Sequence, residues 1–538
     1  MKSDIEIAQA AEKSPIRDIA ARIGLDEADI IPYGAYIAKT PFDRVVSKPA
    51  QLKRKLILTT AMTPTPMGEG KTTNTIGLGQ AMDKIGKKTM IAIREPSLGP
   101  CMGVKGGAAG GGYSQVLPME DINLHFTGDL HAVTMAHNLL AAVIDNHLHQ
   151  KNEPDLHSRR IVWKRVLDMN DRSLRNTIVG CQRDGSNGVM REDGFEITAA
   201  SEVMAILCLA NDLMDLKARL GRIVVGYDSL RKPVTAADLG VNGAMAALLK
   251  NAIHPNLVQT IEGVPVFVHG GPFANIAHGC NTVIATKLAM HLADYTITEA
   301  GFGADLGAEK FFNIKCRSAG LRPDAVMLVV THRAYTMHGI DNIVKHVENV
   351  RQFNVPVIVS INRFLNDDPA DLKMLQQRCA DAGIPAAITD FREGGGEGGL
   401  EIAEKICELC EQRNTFDHLY PLDMPLVDKI NTISTRIYGA RGVEFTATAK
   451  RSLKRIANLG FAHLPVCIAK TPASLSDNPK FPGRPKNFSI TVTDARVSAG
   501  AGYVVVYSGD IMTMPGLPKT PAAMNIDIDR DGTISGLF

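Results

Sequence analysis

Residues 56–73 read LILTTAMTPTPMGEGKTT, and residues 88–95 read KTMIAIRE. An apolar strand runs into a glycine-rich turn that closes on Gly-Lys-Thr, an apolar-periodic helix follows, and a second apolar strand ends in Arg-Glu. This pattern predicts one βαβ unit with a phosphate cradle at its first turn. Because consecutive backbone N–H groups at a helix N-terminus attract anions before any side chain contributes, the stretch predicts chemistry as well as fold.

The composition is typical of a globular protein with several domains. A chain of 538 residues exceeds the size at which one hydrophobic core keeps growing, which favours about two to four domains. Hydrophobic residues make up 45% and no apolar run approaches the ~20 residues that cross a bilayer, so we expect no membrane contact. The net charge of +2 gives no indication of nucleic-acid binding. We therefore expect small-molecule partners.

The cysteines and the N-terminus predict a cytoplasmic protein. The nine cysteines are an odd number scattered from Cys101 to Cys467, which favours reduced thiols over a disulfide framework. Cys407 and Cys410 form the one Cys-x-x-Cys pair and lie in a helical-looking run, where a core or surface helix is favoured over a metal or redox site. The N-terminal residues mix charges with alanine and isoleucine, which predicts an amphipathic helix and no signal peptide.

Short β-branched runs alternate with longer helical patterns through most of the chain. This alternation predicts an α/β fold, with a P-loop NTPase-like, mostly parallel sheet carrying helices on both faces. The rhythm changes twice, which predicts two smaller α+β domains, with a helix expected over 201–213 in the first and a long helix over 429–459 in the second. We divide the chain into a P-loop nucleotide-binding domain (1–149 and 255–419), an α+β insertion (150–254) and a C-terminal α+β domain (420–538). The predicted strands of the sheet are 56–60, 89–93, 264–269, 295–298, 325–330, 356–361 and 386–389.

The turn matches the phosphate-loop pattern Gly-x-x-x-x-Gly-Lys-Ser/Thr except that Thr65 stands at the first glycine. A Gly-Lys-Thr triplet also occurs by chance, but here it follows an apolar strand and opens a helix. In that geometry Lys71 offers a charge to the β/γ-phosphate oxygens and the Thr72 hydroxyl offers a ligand to Mg²⁺, so ATP and Mg²⁺ are the predicted cofactors. The predicted nucleotide-binding residues are Thr65, Pro66, Met67, Gly68, Glu69, Gly70, Lys71, Thr72 and Thr73.

Two further segments carry candidate chemistry. Residues 94–113 contain REPSLGP and the glycine-rich GVKGGAAGGGY. A flexible surface linker is one interpretation; a ligand-binding loop is the other, because the segment begins at the carboxyl end of a strand. The planar fork of Arg94 suits a carboxylate or a carboxylic–phosphoric anhydride. Residues 119–131 read MEDINLHFTGDLH, where a short apolar strand is expected and Asp129 is a better functional candidate than the histidines, which are more often structural.

Six blocks along the chain strongly resemble the formate–tetrahydrofolate ligase family, also called 10-formyltetrahydrofolate synthetases. They extend from the phosphate turn to the C-terminus, so the resemblance covers essentially the whole chain. The blocks are TPTPMGEGKT (63–72), REPSLGP (94–100), NLHFTGD (123–129), EAGFGADLG (299–307), SAGAG (498–502) and GDIMTMPGLP (509–518).

The resemblance implies ATP-dependent joining of formate to tetrahydrofolate through formyl phosphate, giving 10-formyltetrahydrofolate, ADP and phosphate. It implies that Lys71 contacts the transferring phosphate and that Arg94 holds formate. His125 or Asp129 is expected to take the proton from the attacking amine, and residues 103–112 are a candidate lid. The implied substrate-binding residues are Arg94, Glu95, Phe302, Phe364 and Phe391, of which the last two would stack on the pterin, Phe391 standing where the family has tryptophan.

The family also implies a homotetramer and a response to a monovalent cation, K⁺ or NH₄⁺. Two other functions remain open at this point. One is a P-loop regulatory ATPase, because such proteins also use deviant Gly-Lys-Thr turns. The other is a different small-acid ligase working through an acyl phosphate, because the anion chemistry is shared and only the region of Phe364 and Phe391 indicates folate.

Overall fold

The computed structural model describes residues 2–47, 53–103, 109–181 and 186–537. Its centre is a large, mostly parallel sheet. The seven parallel strands, β1 to β7 in chain order, are Lys55–Ala61, Thr89–Ile93, Pro265–Val268, Tyr295–Glu299, Ala325–Val330, Val357–Asn362 and Ala386–Thr389. Their order across the sheet is β3-β2-β4-β1-β5-β6-β7. All seven were predicted from the sequence, and the mixed α/β class with a mostly parallel sheet is confirmed.

Helices cover both faces of the sheet, as strand β1 shows. Alternate residues of a strand point to opposite faces. Leu56 and Leu58 belong to one buried cluster, whereas Ile57 and Ala61 belong to another, together with Leu78 of the helix Lys71–Lys84. Both sets are fully buried. A strand covered on both faces is apolar along its whole length, which is why the sequence pattern identified these strands.

Short antiparallel strands extend the sheet beyond β3. The strand Asn256–Thr260 pairs antiparallel with β3. It also pairs antiparallel with the strands Ala38–Lys39 and Ser114–Leu117. These strands were not predicted. They are short, and polar residues such as Asn256 and Gln259 interrupt their apolar pattern even though both side chains are buried.

Helices lie in the chain segments that connect the strands. The α-helices are Asp4–Ala10, Ile16–Arg22, Phe42–Val46, Lys71–Lys84, Leu98–Gly103, Met119–Asn123, Asp129–Gln150, Glu202–Leu209, Leu213–Gly221, Asn242–Leu248, Val283–Leu292, Arg317–Ala319, His332–His338, Ile340–Arg351, Pro369–Asp381, Phe391–Gly394, Leu400–Cys410, Leu426–Ile433 and Ala447–Asn458. None of those in the described parts of the chain is long and apolar enough to cross a membrane. The nine cysteines, all at described positions, form no disulfide, and the Cys-x-x-Cys pair lies on the buried side of Leu400–Cys410.

Three local predictions are wrong. The apolar strand expected within residues 119–131 is instead the helix Met119–Asn123. The single helix predicted over 201–213 ends at Leu209, and a new helix begins at Leu213, where the side chain of Asp212 accepts from the Asp215 N–H. The long helix predicted over 429–459 is interrupted, because Gly439 adopts a left-handed φ of 81° and the strand Gly442–Phe445 follows.

The region 150–254 and the C-terminal region share a hydrophobic core. One buried cluster contains Val133 of the long helix Asp129–Gln150, Trp163 and Val203 from the region 150–254, and Val505 from the strand Tyr503–Tyr507. That strand lies between Val466–Ala469 and Asp494–Ser498 in a three-stranded sheet. Because residues from both of the predicted smaller domains pack in this one core, the division of the chain into three domains stays a prediction.

Candidate active site at the carboxyl ends of the parallel strands

The sheet brings the candidate residues to one edge. Parallel strands end at the same edge, and ligands of open α/β sheets bind where neighbouring strands connect in opposite directions. Strand β1 leads to β2 on one side, whereas its neighbour β5 leads to β6 on the other. The Gly-Lys-Thr turn follows β1, so it lies at this switch point.

Two glycines shape the turn between β1 and its helix. Gly68 and Gly70 adopt left-handed φ values of 78° and 71°, which a side chain would strain. A Cβ at Gly70 would also lie 2.7 Å from Nδ2 of Asn362, which itself donates to the Glu69 carbonyl at 3.1 Å. The turn is therefore fitted closely against the end of β6, with Lys71 half-buried as the first residue of the helix.

The side chain of Glu69 holds the turn together from inside. Its carboxylate is buried and accepts hydrogen bonds from the backbone N–H of Thr65 at 2.6 Å, from the Thr65 hydroxyl at 2.8 Å and from the Thr331 hydroxyl. Arg333 donates to the Gly68 carbonyl from the other side. Thr65, which stands where the phosphate-loop pattern has its first glycine, is thus held in place by hydrogen bonds to the Glu69 carboxylate.

Thr72 and Arg94 meet at one carboxylate, that of Glu299. The Thr72 hydroxyl donates to Oε2 of Glu299 at 2.9 Å. Nε of Arg94 lies 3.5 Å from Oε1 of the same carboxylate, which is 1% exposed. Neither Arg94 Nε nor Glu299 Oε1 has a hydrogen-bond partner among the described residues. The structure therefore brings two predicted site residues together through a third that the sequence analysis did not assign.

Asp129 lies in a different, buried cluster. The ammonium group of Lys39 donates to both Asp129 oxygens, at 2.8 and 2.9 Å, and to Oδ1 of Asn256 at 2.9 Å. Asn256 Nδ2 in turn donates to Asp129 at 2.8 Å. Glu95 is fully buried nearby, and burial, followed by the charge of Asp129, raises the pKa of its carboxyl well above the ordinary value although Lys39 opposes the shift. His125 is exposed, and its backbone carbonyl accepts from the Gly128 N–H at 2.9 Å, whereas its imidazole makes no hydrogen bond to a described residue.

Phe364 and Phe391, the two predicted pterin-stacking residues, differ in their exposure to solvent. Phe364 is partly exposed, and the guanidinium of Arg333 lies 4.4 Å from its ring centroid. Phe391 is fully buried, and a Cβ added at Gly77 or Gly399 would overlap its ring. The ring of Phe391 thus fills the core of this structure, and its stacking on the pterin stays a prediction. Phe302 is half-buried, with a left-handed φ of 58°, in the loop after β4.

The predicted lid is only partly within the described residues. Residues 104–108 lie outside them. The following Gly110 and Gly111 form a short strand with Ser114 and Gln115. A Cβ at Gly112 would overlap the carbonyl of Arg392, which accepts from the Tyr113 N–H at 2.7 Å. This end of the segment is packed tightly.

Comparison with protein families identifies the family of the chain. A family model described as formate–tetrahydrofolate ligase matches residues 2–538. The chain belongs to the formate–tetrahydrofolate ligase family. Formate–tetrahydrofolate ligases are ATP-dependent and form 10-formyltetrahydrofolate.

Four residues of this ligase contact the predicted site but were not predicted from the sequence. They share one signal: each ends a predicted strand or follows it within three positions, where side chains of a parallel sheet converge. The residues are Glu299, Thr331, Arg333 and Asn362.

Proposed function

We propose that the ligase acts through formyl phosphate, formed where Thr72, Glu299 and Arg94 meet. The observation that carries this proposal is the shared carboxylate of Glu299, which places the candidate metal-binding hydroxyl and the candidate formate-binding guanidinium on either side of one group. Formate held by Arg94 would then lie beside the terminal phosphate of ATP held at Thr72. Positioning two reactants in this way is the main catalytic contribution in phosphoryl transfer.

The turn from Thr65 to Thr73 is proposed as the nucleotide site. Its backbone N–H groups and the N-terminus of Lys71–Lys84 provide the anion cradle, and Lys71 adds a positive charge. Mg²⁺ is bound in such sites by one or two protein oxygens together with phosphate oxygens, so the Thr72 hydroxyl, which donates its proton to the Glu299 carboxylate, is a fitting ligand. When bound, Mg²⁺ supplies charge neutralisation to the transferring phosphoryl group.

Formate is too small to be recognised by contact area. Three heavy atoms at a ceiling of about −1.5 kcal/mol each give about −4.5 kcal/mol, close to a millimolar dissociation constant. Charge must therefore supply recognition. Arg94 offers a planar fork to the two formate oxygens, and its side chain is 25% exposed, so a small anion can reach it.

The proposed reaction has two steps. A formate oxygen attacks the terminal phosphorus, the bond to the bridging oxygen breaks, and ADP leaves. The tetrahydrofolate amine then attacks the formyl carbon, and phosphate leaves with the electron pair of the broken C–O bond. Of the two predicted acceptors for the amine proton, Asp129 is occupied by Lys39, so His125 remains the proposal.

The folate site is proposed at Phe364 and Phe302, which follow β6 and β4 at the same edge. Because Arg333 covers one face of the Phe364 ring, the pterin would stack on the other. The homotetramer and the monovalent-cation response are proposals from the family alone. They are tested by light scattering and by replacing K⁺ with Na⁺ in the assay.

Formate carrying heavy oxygen tests the intermediate. Through formyl phosphate, one labelled oxygen passes to the phosphate product, and ADP release requires formate and yields 10-formyltetrahydrofolate when tetrahydrofolate is present. Unlabelled phosphate would contradict formyl phosphate while leaving the ligase activity intact. ATP hydrolysis indifferent to formate and tetrahydrofolate would indicate the regulatory ATPase, and an acid other than formate used in preference would indicate a different ligase.

A further inference from the structure

We propose that Glu299 is a positioning residue that couples nucleotide and metal binding at Thr72 to formate binding at Arg94. This inference rests on the proposed function and deepens it. Strand β4, which ends at Glu299, lies between β1 and β2 in the sheet. Its last residue therefore separates the turn that follows β1 from the arginine that follows β2.

One carboxylate oxygen of Glu299 accepts a hydrogen bond, and the other has no hydrogen-bond partner among the described residues. Oε2 accepts a hydrogen bond from Thr72 at 2.9 Å. Oε1 lies 3.5 Å from Arg94 Nε, and neither of these two buried atoms has a hydrogen-bond partner among the described residues. Buried polar atoms left unpaired in a native structure call for an explanation, and a contact that closes when ligands bind provides one.

The chemistry of the hydroxyl allows the coupling. A hydroxyl has one proton to donate and two lone pairs to share. Thr72 can therefore bind a metal ion through a lone pair while its proton stays on Oε2 of Glu299. Binding the metal then fixes one edge of a planar carboxylate, and the other edge is brought against Arg94.

The consequence for Arg94 is a fixed orientation. A guanidinium held at Nε still presents its two terminal nitrogens in a fork that matches the two oxygens of a carboxylate. Without that contact the long side chain must be ordered by formate itself, which weakens binding. Nucleotide with Mg²⁺ should thus tighten formate binding, and by linkage formate should tighten nucleotide binding equally.

Glu299→Gln tests the coupling because an amide lacks the negative charge that faces Arg94 and has only one acceptor oxygen. If that oxygen faces Arg94, the NH₂ group faces Thr72, whose hydroxyl must then accept from it and can no longer donate to residue 299 while it binds the metal ion. Labelled formate is titrated by NMR with and without Mg²⁺ and a non-hydrolysable ATP analogue. We expect the analogue to tighten formate binding about tenfold in the wild type and less than about twofold in Glu299→Gln.

Two controls separate coupling from damage. Glu309→Gln removes another buried carboxylate, two positions after the same sequence block, that accepts from Asn313, and it should keep the wild-type ratio. Thr72→Ser keeps the hydroxyl and should keep the coupling, whereas Thr72→Val should lose it with Glu299 intact, so the inference is still tested if Glu299→Gln fails to fold.

The outcomes distinguish this inference from the proposed function. A wild-type ratio in Glu299→Gln, or no effect of the analogue on the wild type, overturns the coupling even if the wild type makes 10-formyltetrahydrofolate. A wild type that shows the coupling but transfers no label from formate to phosphate supports the role of Glu299 and contradicts formyl phosphate.

Discussion

Two buried clusters of charged residues differ in one respect, namely whether their polar atoms are satisfied. In the cluster of Lys39, Asp129 and Asn256, both carboxylate oxygens accept from the ammonium group at 2.8 and 2.9 Å. In the cluster of Glu299 and Arg94, Oε1 and Nε face each other at 3.5 Å, and neither atom makes a hydrogen bond to a described residue. We call the first cluster closed, because both of its carboxylate oxygens accept hydrogen bonds. We call the second cluster open, because the facing atoms of Arg94 and Glu299 make no hydrogen bond to a described residue.

The difference separates structural from functional residues. A buried ion pair is tolerated when hydrogen bonds satisfy its atoms, and breaking it then leaves an uncompensated charge. An incomplete pair contributes little to stability and leaves donors for a ligand. By this criterion Asp129, which the sequence marked as catalytic, is a structural candidate, whereas Glu299 is a functional one.

The closed cluster should give the largest effect on stability. Lys39→Met leaves Asp129 buried without its partner and should lower the free energy of unfolding by about 3–5 kcal/mol, measured by chemical denaturation. Lys53→Met removes an ion pair to Glu411 whose side chains are both more than half exposed, and should leave stability near the wild type. Equal effects of the two substitutions would remove the distinction between the clusters.

The open cluster should respond in activity and not in stability. Arg94→Ala should lower ligation about 10²- to 10³-fold, since it removes the donors that hold the reacting anion. Its melting temperature and nucleotide affinity should stay close to the wild type, because Nε makes no hydrogen bond to a described residue. Arg94→Lys keeps the charge without the fork and should recover only part of the rate. A variant that ligates formate normally would exclude Arg94 from the site.

Phe391 and Phe364 also differ in burial, since Phe391 is fully buried and Phe364 is partly exposed. Phe391→Trp should destabilise the fold by about 1–3 kcal/mol through overpacking, without tightening tetrahydrofolate binding, because its ring already fills the space beside Gly77 and Gly399. Phe364→Leu should weaken tetrahydrofolate binding at little change in stability, since its ring is partly exposed. Fluorescence titration and thermal unfolding of both variants measure this, and tighter folate binding by Phe391→Trp would return Phe391 to the pterin site.

The sequence predicted what depends on local pattern. All seven parallel strands were found, because a strand such as β5 is buried on both faces and apolar throughout. The complete burial of Phe391 was not predicted, because a motif places a residue along the chain and says nothing of burial. Glu299 was missed because its role depends on the order of strands, which sets β4 between β1 and β2 only after folding.

The smallest effect should be a pH-dependent one at Glu95, beside the closed cluster. Burial, followed by the charge of Asp129, raises the pKa of Glu95 above its ordinary value of 4.5, and Lys39 opposes the shift. Since the folded state then binds the proton more tightly than the unfolded state, the group lowers stability as the pH rises from the ordinary pKa toward the raised one. Glu95→Gln cannot ionise, so its unfolding midpoint relative to the wild type should increase as the pH rises above the ordinary pKa of 4.5. Glu309→Gln is no control here, because burial also raises the pKa of Glu309, to about 7; Glu401→Gln, on the exposed side of Leu400–Cys410, is the suitable one. A difference that stays constant with pH would mean that Lys39 neutralises Glu95 as well as Asp129, and the closed cluster would then have to include all three.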